Sequence, residues 1–449
     1  MALPDGDADK EHQTTERLQH ASFFARSPAA ALARRLYLRT LLGGSLATII
    51  LIFVVFSLFW GSLWHTPSHA LEGWVVDFDG DVVGEAVLQA LVSNGSTTGA
   101  KVSWTVMPAA HFPLGDVQVA DAVREEHAWV AITINKDASG RLMRSLVTPN
   151  ATYDGADAIS VFAVEARNEN AYRNIIRPYV QSTLDAILRT YAMQTASQNI
   201  TSLDVLSISP QTVVLPVSYR LVNLIPYNIP VASAVTFVGL ILQLILTFFV
   251  VVSSSIITLA RYPECNKLTA TLVCQMMNAS ARTVSGLDRT LSTRSLIVLR
   301  MASTFTAFFV ISLFYCLLSA AFQLPTDRKG LALESLVVLL TVRFIPFFML
   351  TWVILNISVT IFPIEVLPRF FRYGYAAPFY NLSRAMRTII FGTKNHVAFD
   401  FGVLLVWILI SCTTLPLIQQ WVRRRQPSSS PAVGVAPRSK CRNGDSAVD

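Results

Sequence analysis

Two aspartates at the end of an apolar stretch are the residues whose spacing best suits chemistry. Asp77 and Asp79 lie in VVDFDGD, residues 75–81, where a hydrophobic strand is predicted to end in an Asp-x-Asp-Gly turn. With Mg²⁺ bridging them, the first carboxylate could attack a phosphoryl group while the second serves as its acid–base partner. The pattern is typical of phosphoryl transfer through an aspartyl intermediate.

The same stretch has a simpler structural interpretation, which we favour: a strand, an Asp/Gly turn and a helix N-cap. Aspartate-based phosphatases, whose nucleophile motif it resembles, also need a distant Lys and a further acidic pair, and no convincing acidic pair is evident. A calcium loop is rejected because Val82 stands where such a loop needs Gly. We therefore expect a protein that is not an enzyme, with no catalytic, cofactor-binding or metal-binding residues; an ecto-phosphatase is a remote alternative.

Four charged residues in the apolar C-terminal half are candidates for a functional or interfacial role: Glu365, Arg369, Arg372 and Arg343. The first three lie in FPIEVLPRFFRYGYAAPFYN, residues 362–381, whose prolines and glycine break a continuous helix and whose aromatic residues suit a membrane–water boundary. We expect them to anchor to lipid headgroups or to line an exit mouth. Arg343 has two interpretations. It could be a pathway or gate residue that pairs with Glu334 or with Glu365, because a charge within the bilayer needs a partner. We favour the other interpretation, in which it marks a cytosolic turn before the next span.

The overall composition indicates an integral membrane protein. Of the 449 residues, 52% are hydrophobic and only 14% are charged, whereas soluble domains carry about 25% charged residues. The net charge of +7 is unevenly spread, because acidic residues outnumber basic ones between His65 and Pro230. That asymmetry is typical of a protein with a positive, cytosolic side of the membrane and an opposite side, and we do not interpret it as nucleic-acid binding.

Long uncharged runs set the predicted order of segments, because a helix needs about 20 apolar residues to cross a bilayer. Arginines before the first run and within the 261–295 loop place both on the cytosolic side. The segments are a disordered cytosolic tail 1–38, transmembrane helix 39–62, an extracytoplasmic α/β domain 65–228, transmembrane helix 231–260, a cytosolic loop 261–295, transmembrane helix 296–322, a transmembrane block 331–361 (one span or a broken hairpin), an interfacial broken segment 362–395, a last transmembrane helix 399–422 and a disordered cytosolic tail 423–449.

Alternating strand and helix patterns predict a compact α/β domain in residues 65–228. Strands are expected at Gly73–Val76, Val102–Met107, Trp129–Ile134 and Ile159–Glu165, helices at Asp81–Leu91, Val117–Glu126 and about 169–198, and an extended return at Thr212–Leu224. Glycosylation motifs at Asn94, Asn150 and Asn199 agree with an extracytoplasmic face, although such motifs are common by chance.

Several stretches resemble a known family of fungal membrane proteins. These are WVVDFDG (74–80), PVSYRLVNLIPYNIPVASAVTFVGLI (216–241), SAAFQLP (319–325) and the long segment from Arg343 to Asn395. On them the chain resembles the fungal nitrosoguanidine-resistance membrane protein family, whose main region is named a domain of unknown function. The resemblance covers about residues 41–425.

The resemblance implies an α-helical polytopic membrane protein with an inserted extracytoplasmic α/β domain, similar to the membrane half of export-type, ABC-2-type permeases. Both termini are then cytosolic and residues 362–395 face outside. The chain departs from the family at Arg328–Gly330, where relatives carry an additional span; the 331–361 block is therefore expected to be truncated, by a real deletion or an annotation error.

The expected role is that of a permease-like transporter acting in export of toxic compounds and stress resistance, or in membrane lipid organisation. The alternative is a non-transporting membrane scaffold or regulator. No G-x-x-x-x-G-K-[ST] loop is present, so the chain does not bind ATP by that motif. Its expected partner is the lipid bilayer, at the plasma membrane or an endomembrane, with a homodimer and a separate energy-coupling subunit left open.

Overall fold

The structure, a computed structural model, describes residues 52–95, 99–199, 203–242 and 345–425, with isolated positions between 35 and 50 and between 295 and 321. Most of the predicted tails, the 261–295 loop, most of the spans 231–260 and 296–322, the first part of the 331–361 block and Arg343 lie outside the described residues. At the boundaries of the predicted tails, Arg35 and Leu38 are helical and the last helix runs to Arg425.

A five-stranded sheet forms the centre of the α/β domain. Its strands are β1 Leu71–Asp77, β2 Val102–Met107, β3 Val130–Ile134, β4 Ile159–Ala163 and β5 Tyr219–Asn223. The order across the sheet is β2-β1-β3-β4-β5, and neighbouring strands are parallel except β3 and β4, which are antiparallel. All five residues of β3 are buried, as expected for a central strand covered on both faces.

Helices cover both faces of the sheet and form most of the described C-terminal part of the chain. They are α1 Ser57–Leu63, α2 Val82–Gly95, α3 Asp116–Arg124, α4 Ala138–Val147, α5 Arg177–Asn199, α6 Leu203–Ile208, α7 Pro210–Val214, α8 Ile345–Ser358, α9 Pro378–Phe391 and α10 Val397–Arg425. Short turns of 3-10 or π helix precede or join several of them, at Ile52–Phe56, Ala109–His111, Gly155–Asp157, Tyr172–Ile176, Pro230–Ala232, Ala234–Val238, Ile364–Val366 and Arg369–Ala376. A single α-helical turn, Glu169–Ala171, directly precedes the turn at Tyr172–Ile176.

The domain core consists of two apolar layers, one on each face of the sheet. On one face, Val75 and Ile132 of the sheet pack with residues of α2, α4 and α5 such as Val87 and Leu184. On the other face, residues of α3 and Phe162 of β4 form a smaller layer. The alternation of buried side chains along the strands thus produces an α/β/α sandwich, and the predicted α/β domain is present.

One predicted element of the domain is wrong in part. The stretch Thr212–Leu224 was expected to be extended, but its first residues belong to α7, and β5 begins only at Tyr219. Pro210 begins that helix at the position where proline is tolerated. The hydroxyl of Thr212 is fully buried and lies 2.8 Å from the hydroxyl of Ser145. This long-range contact stabilises a turn that local sequence does not reveal.

The prolines and glycine of residues 362–377 prevent a regular α-helix there, as predicted. The chain forms 3-10 turns at Ile364–Val366 and Arg369–Ala376 instead. The expectation of a broken segment through residue 395 is too broad, because α9 is a regular helix of 14 residues with Pro378 at its start and Gly392, at φ +69°, at its end. Proline at the first helical position and a left-handed glycine at the end are helix boundaries, not breaks.

Several contacts fasten this segment to the α/β domain. The side chain of Val366 is fully buried among the residues of the first domain layer, and Phe362 packs against the same layer. The backbone N–H of Ser68 also donates to the carbonyl oxygen of Val366 over 2.7 Å. The turn after α8 therefore completes the core of a domain some 140 residues earlier in sequence.

A second apolar cluster joins the 230–242 segment to the helices of the C-terminal half. It combines Val235 and Leu240 of the 230–242 segment with Phe379 and Met386 of α9 and Leu404 of α10. Asn356 of α8 is buried and accepts a hydrogen bond from the backbone N–H of Phe379 at 3.3 Å, which satisfies a free donor at the start of α9. Since α9 contacts all these elements, it is the centre of the C-terminal half.

We expect Gly374→Ala to destabilise the protein by about 1–3 kcal/mol, because overpacking a filled site costs that much. A Cβ there would lie 2.7 Å from Cβ of Val359 and 2.8 Å from Cδ1 of Ile364. Gly402→Ala is the matched control, since nothing lies within 4 Å of its added Cβ. Thermal unfolding of the detergent-solubilised protein measures both; equal unfolding temperatures would contradict the packing at Gly374.

Candidate functional site

The carboxylates of the Asp-x-Asp-Gly stretch accept hydrogen bonds from backbone N–H groups. Asp77 Oδ1 accepts hydrogen bonds from the backbone N–H groups of Asp79 at 2.9 Å and Gly80 at 3.1 Å. Asp79 accepts from the backbone N–H of Ser139 at 3.1 Å and from its hydroxyl. These bonds fix the turn after β1 and join it to the first turn of α4, so both carboxylates have structural partners.

No group of three or more His, Cys, Asp or Glu side chains within the described ranges is arranged to hold a metal ion. The bonds of Asp77 form an Asx turn after the strand, and those of Asp79 hold the first turn of α4, 60 positions away in sequence. They give a reason for these aspartates to be present without a reaction.

Of the four charged candidates of the C-terminal half, the structure describes Glu365, Arg369 and Arg372, and of these three only Glu365 lines the cavity described below. Glu365 is exposed between the buried residues Ile364 and Val366 and lines a cavity. Arg369 and Arg372 lie on the exposed side of the following 3-10 turn, beside Phe370, whose side chain is 63% exposed. This turn therefore combines exposed cations with an exposed aromatic ring, as the interfacial interpretation requires. Arg343 lies outside the described residues.

The cavity with Glu365 lies between the α/β domain and the C-terminal half, and has a volume of about 270 Å³. Glu126, Trp129 and Arg167 line it from the domain. The opposite wall comes from the 3-10 turns, α9 and the loop before α10. Pockets for drug-sized ligands measure ~300–1,000 Å³, so this one suits a small polar group.

On the domain side, an arginine is held between an indole ring and a carboxylate. The guanidinium carbon of Arg167 lies 3.5 Å from the ring centroid of Trp129, and its Nε lies 3.5 Å from Oε2 of Glu126. Burial lowers the pKa of Arg167, while Glu126 and Glu365 act in the opposite direction. Glu126 adopts a left-handed backbone conformation with φ +60°, which costs a non-glycine residue about 1 kcal/mol. Strain of this kind is concentrated at functional sites.

On the helical side, Arg384 of α9 binds the carboxylate of Asp400 in α10. Its Nε lies 3.0 Å and 3.3 Å from the two carboxylate oxygens, and Nη2 donates to Oδ1 as well. Asp400 is completely buried. A buried carboxylate at the start of an apolar helix requires such a partner, and the pair fixes α9 against α10.

Arg387, one turn further along α9, makes the ion pair that crosses the junction. Its Nη1 donates to Oε2 of Glu169 and to the carbonyl oxygen of Ala166, the latter over 3.3 Å. The side chains of Arg387 and Glu169 are only 5% and 12% exposed. Because removing one partner of a buried pair leaves an uncompensated charge, this contact strongly favours the docked arrangement.

Two contacts involve the loop between α9 and α10, which carries the remaining cations of the cavity. Thr388 of α9 donates its hydroxyl to the carbonyl oxygen of Lys394 over 3.0 Å, which fixes the loop between α9 and α10. His396 in the same loop lies 3.7 Å from Oε2 of Glu126. Within the described residues, neither Lys394 nor Glu365 takes part in an ion pair. The cavity therefore presents one unpaired ammonium group and one unpaired carboxylate.

One helix within the described ranges is long and apolar enough to cross a membrane. Its apolar stretch is Val397–Thr414 of α10, and only 11% of that stretch is buried. A core helix of a soluble domain would be mostly covered by protein. The charged cavity thus lies at the N-terminal end of an exposed helix of membrane length.

The family model for "Protein of unknown function (DUF3533)" matches residues 45–330 and 328–413. The chain belongs to the DUF3533 family. It is also similar to the uncharacterized endoplasmic reticulum membrane protein YJR015W of Saccharomyces cerevisiae, with 24% identity over 429 residues, which covers 84% of this chain and 78% of that protein. No solved structure matches the chain significantly. Together with the exposed apolar helix, the relative supports a membrane location and a fungal membrane protein family.

Sequence reasoning missed most of the cavity. Arg167, Glu126, Arg384 and Arg387 were not among the predicted site residues, and only Glu365 was. Asp400 was the available signal, because a carboxylate in the first turn of an apolar run needs a cation nearby. Nothing in the sequence indicates that Arg387 pairs with Glu169, 218 positions away.

Arg387→Met should lower the free energy of unfolding by about 3–5 kcal/mol, since it leaves Glu169 buried without a partner. Arg124→Met is the matched control: the Arg124–Asp121 pair is exposed and should contribute less than about 1 kcal/mol. Equilibrium unfolding of the full-length protein in detergent compares them. Adding Glu169→Met to Arg387→Met should recover part of the loss; an unchanged loss would argue against the pair.

Among the glycosylation motifs, the structure describes the side chain of Asn150, which is exposed, whereas those of Asn94 and Asn199 lie outside the described residues. If the domain is extracytoplasmic as expected, Asn150→Gln and Thr152→Val should each remove one glycan. On a gel, endoglycosidase treatment should then reduce the apparent mass of each variant by one glycan less than that of the wild type. Asn381 and Asn356 also lie in N-x-S motifs but are buried, so they should stay unmodified. Absence of glycan from all motifs would argue for a cytosolic domain.

Proposed function

We propose that this DUF3533 protein is a permease-like membrane protein that binds amphiphilic molecules at the junction cavity. In that role it exports toxic compounds, as the resemblance to nitrosoguanidine-resistance proteins implies, or organises membrane lipids. The observation that carries the proposal is the position of a small charged cavity at the end of α10, whose apolar stretch is exposed. The polar part of an amphiphile then lies in the cavity and its apolar part lies along the helix.

The proposed topology is the ABC-2-like one: a polytopic protein with the α/β domain on the extracytoplasmic side and both termini in the cytosol. The two segments of the family match meet at residues 328–330, which is where the resemblance leads us to expect a truncation. Energy would come from a separate subunit. We assign no reaction to Asp77 or Asp79, whose carboxylates already bind the backbone.

A scaffold or regulator is the second candidate, and one observation favours it. The buried Arg387–Glu169 pair and the insertion of Val366 into the domain core resist separation of the two halves. A transport cycle needs two arrangements of its parts. If this junction does not open, the protein holds partners or lipids in place without moving them.

Filling the cavity should abolish the function while leaving the fold intact. Ser383 is buried and lines the cavity, so Ser383→Leu reduces the space available to a ligand. In a deletion strain, we expect increased retention of a nitrosoguanidine or altered exposure of membrane lipids, restored by the wild-type gene and not by Ser383→Leu. Ser182→Leu, on the exposed side of α5, should restore function fully.

Abundance and localisation of each variant, measured by fluorescent tagging, separate loss of function from loss of protein. Normal retention together with normal lipid distribution in the deletion strain would exclude the permease-like function and leave the scaffold.

A further inference from the structure

Among the described residues in and directly behind the cavity, the permanently charged side chains form a balanced set with one unpaired charge of each sign, and His396 adds a positive charge only when it is protonated. The cations are Arg167, Arg384, Arg387 and Lys394, and the carboxylates are Glu126, Asp400, Glu169 and Glu365. Three ion pairs account for the three arginines and three of the carboxylates. The ammonium of Lys394 and the carboxylate of Glu365 remain available to a ligand.

We propose that the cavity binds a small zwitterion, with its anionic group at Lys394 and its ammonium group at Glu365. This proposal rests on the proposed function and specifies the class of ligand for the same site. A simple anion would be attracted by Lys394 but repelled by the unpaired Glu365. A simple cation would be attracted by Glu365 but repelled by Lys394. Only a molecule with both charges satisfies both residues, so charge complementarity disfavours a simple ion of either sign.

The surroundings of Glu365 suit an ammonium group. Burial, and next the negative charge of Glu365, raise the pKa of both Tyr375 and Tyr380, so both phenols stay neutral and lie near that carboxylate. Aromatic rings and a carboxylate together favour ammonium ligands through electrostatic attraction to the ring face. The face of Trp129 is already covered by Arg167, and Arg384 lies over the ring of Tyr380, 5.3 Å from its centroid, which leaves the ring of Tyr375 for this role.

Two sources share this chemistry: the phosphoethanolamine headgroup of a membrane lipid and a free zwitterion such as an amino acid. The cavity is too small for more than a headgroup-sized molecule, at about 270 Å³, and it lies at the end of a membrane-length helix. Binding assays with a soluble headgroup, a free amino acid and an intact lipid distinguish the sources.

Calorimetric titration of the purified full-length protein in lipid-free detergent tests the proposal. We expect glycerophosphoethanolamine or glycine to bind, and inorganic phosphate and ethanolamine each to bind at least about tenfold more weakly. Lys394→Gln and Glu365→Gln should each weaken binding of the zwitterion by about tenfold or more. Lys136→Gln and Glu125→Gln, two exposed positions on the domain, should bind as the wild type does.

Folding does not confuse this result, because neither Lys394 nor Glu365 makes an ion pair within the described residues; unchanged unfolding temperatures of the variants confirm it. In nanodiscs containing phosphatidylethanolamine, native mass spectrometry should show retained lipid in the wild type and less in both variants if the source is a headgroup. Binding of glycine but not of the lipid assigns the site to a free zwitterion.

The proposal is overturned if none of the zwitterions binds, if phosphate or ethanolamine alone binds as tightly as the zwitterion, or if both variants bind normally. That outcome is separate from failure of the proposed function. Should binding fail while Ser383→Leu still abolishes function in cells, the cavity has another ligand; should binding succeed while the deletion strain is normal, the zwitterion site belongs to a scaffold.

Discussion

The arrangement of this protein depends on an ion pair between the α/β domain and the helical C-terminal half. Arg387 reaches from α9 to Glu169 and to the carbonyl oxygen of Ala166, and almost none of the pair is exposed. Such a pair contributes little relative to an apolar replacement, but breaking one side is costly. It therefore acts mainly as a constraint on geometry: the α/β domain is stable on the helices in the one arrangement that satisfies both charges.

The same constraint creates the cavity. With Arg384 held by Asp400 and Arg167 held by Glu126 and Trp129, the walls are fixed before any ligand arrives, and little ordering is required on binding. The permease-like interpretation and the scaffold interpretation differ in whether this junction opens. The exposed apolar face of α10 and the exposed Phe370 beside Arg369 and Arg372 suit contact with lipid in either case.

Membership of the DUF3533 family and similarity to an endoplasmic reticulum membrane protein of yeast agree with the membrane location expected from composition. They do not extend to transport, which rests on the cavity and on the resemblance alone. The Asp-x-Asp-Gly turn illustrates how a short motif suggests chemistry that its surroundings do not require: each carboxylate binds backbone donors that a turn and a helix start would otherwise leave free.

The elements whose cause is local could be predicted from the sequence. Alternating apolar residues predicted β2 at its observed limits, β-branched runs predicted β3 and β4 to within two residues at either end, and Pro363 and Pro368 predicted the interruption before α9. Three features become visible only in the folded protein: Thr212 belongs to a helix, Val366 completes a distant core, and Glu169 pairs with Arg387. The spacing of apolar residues and the positions of prolines influence only a few neighbouring residues, so their effect can be recognised in a single sequence. The pairing of buried charges depends on which surfaces meet in space, and residues more than 200 positions apart carry no local record of that choice.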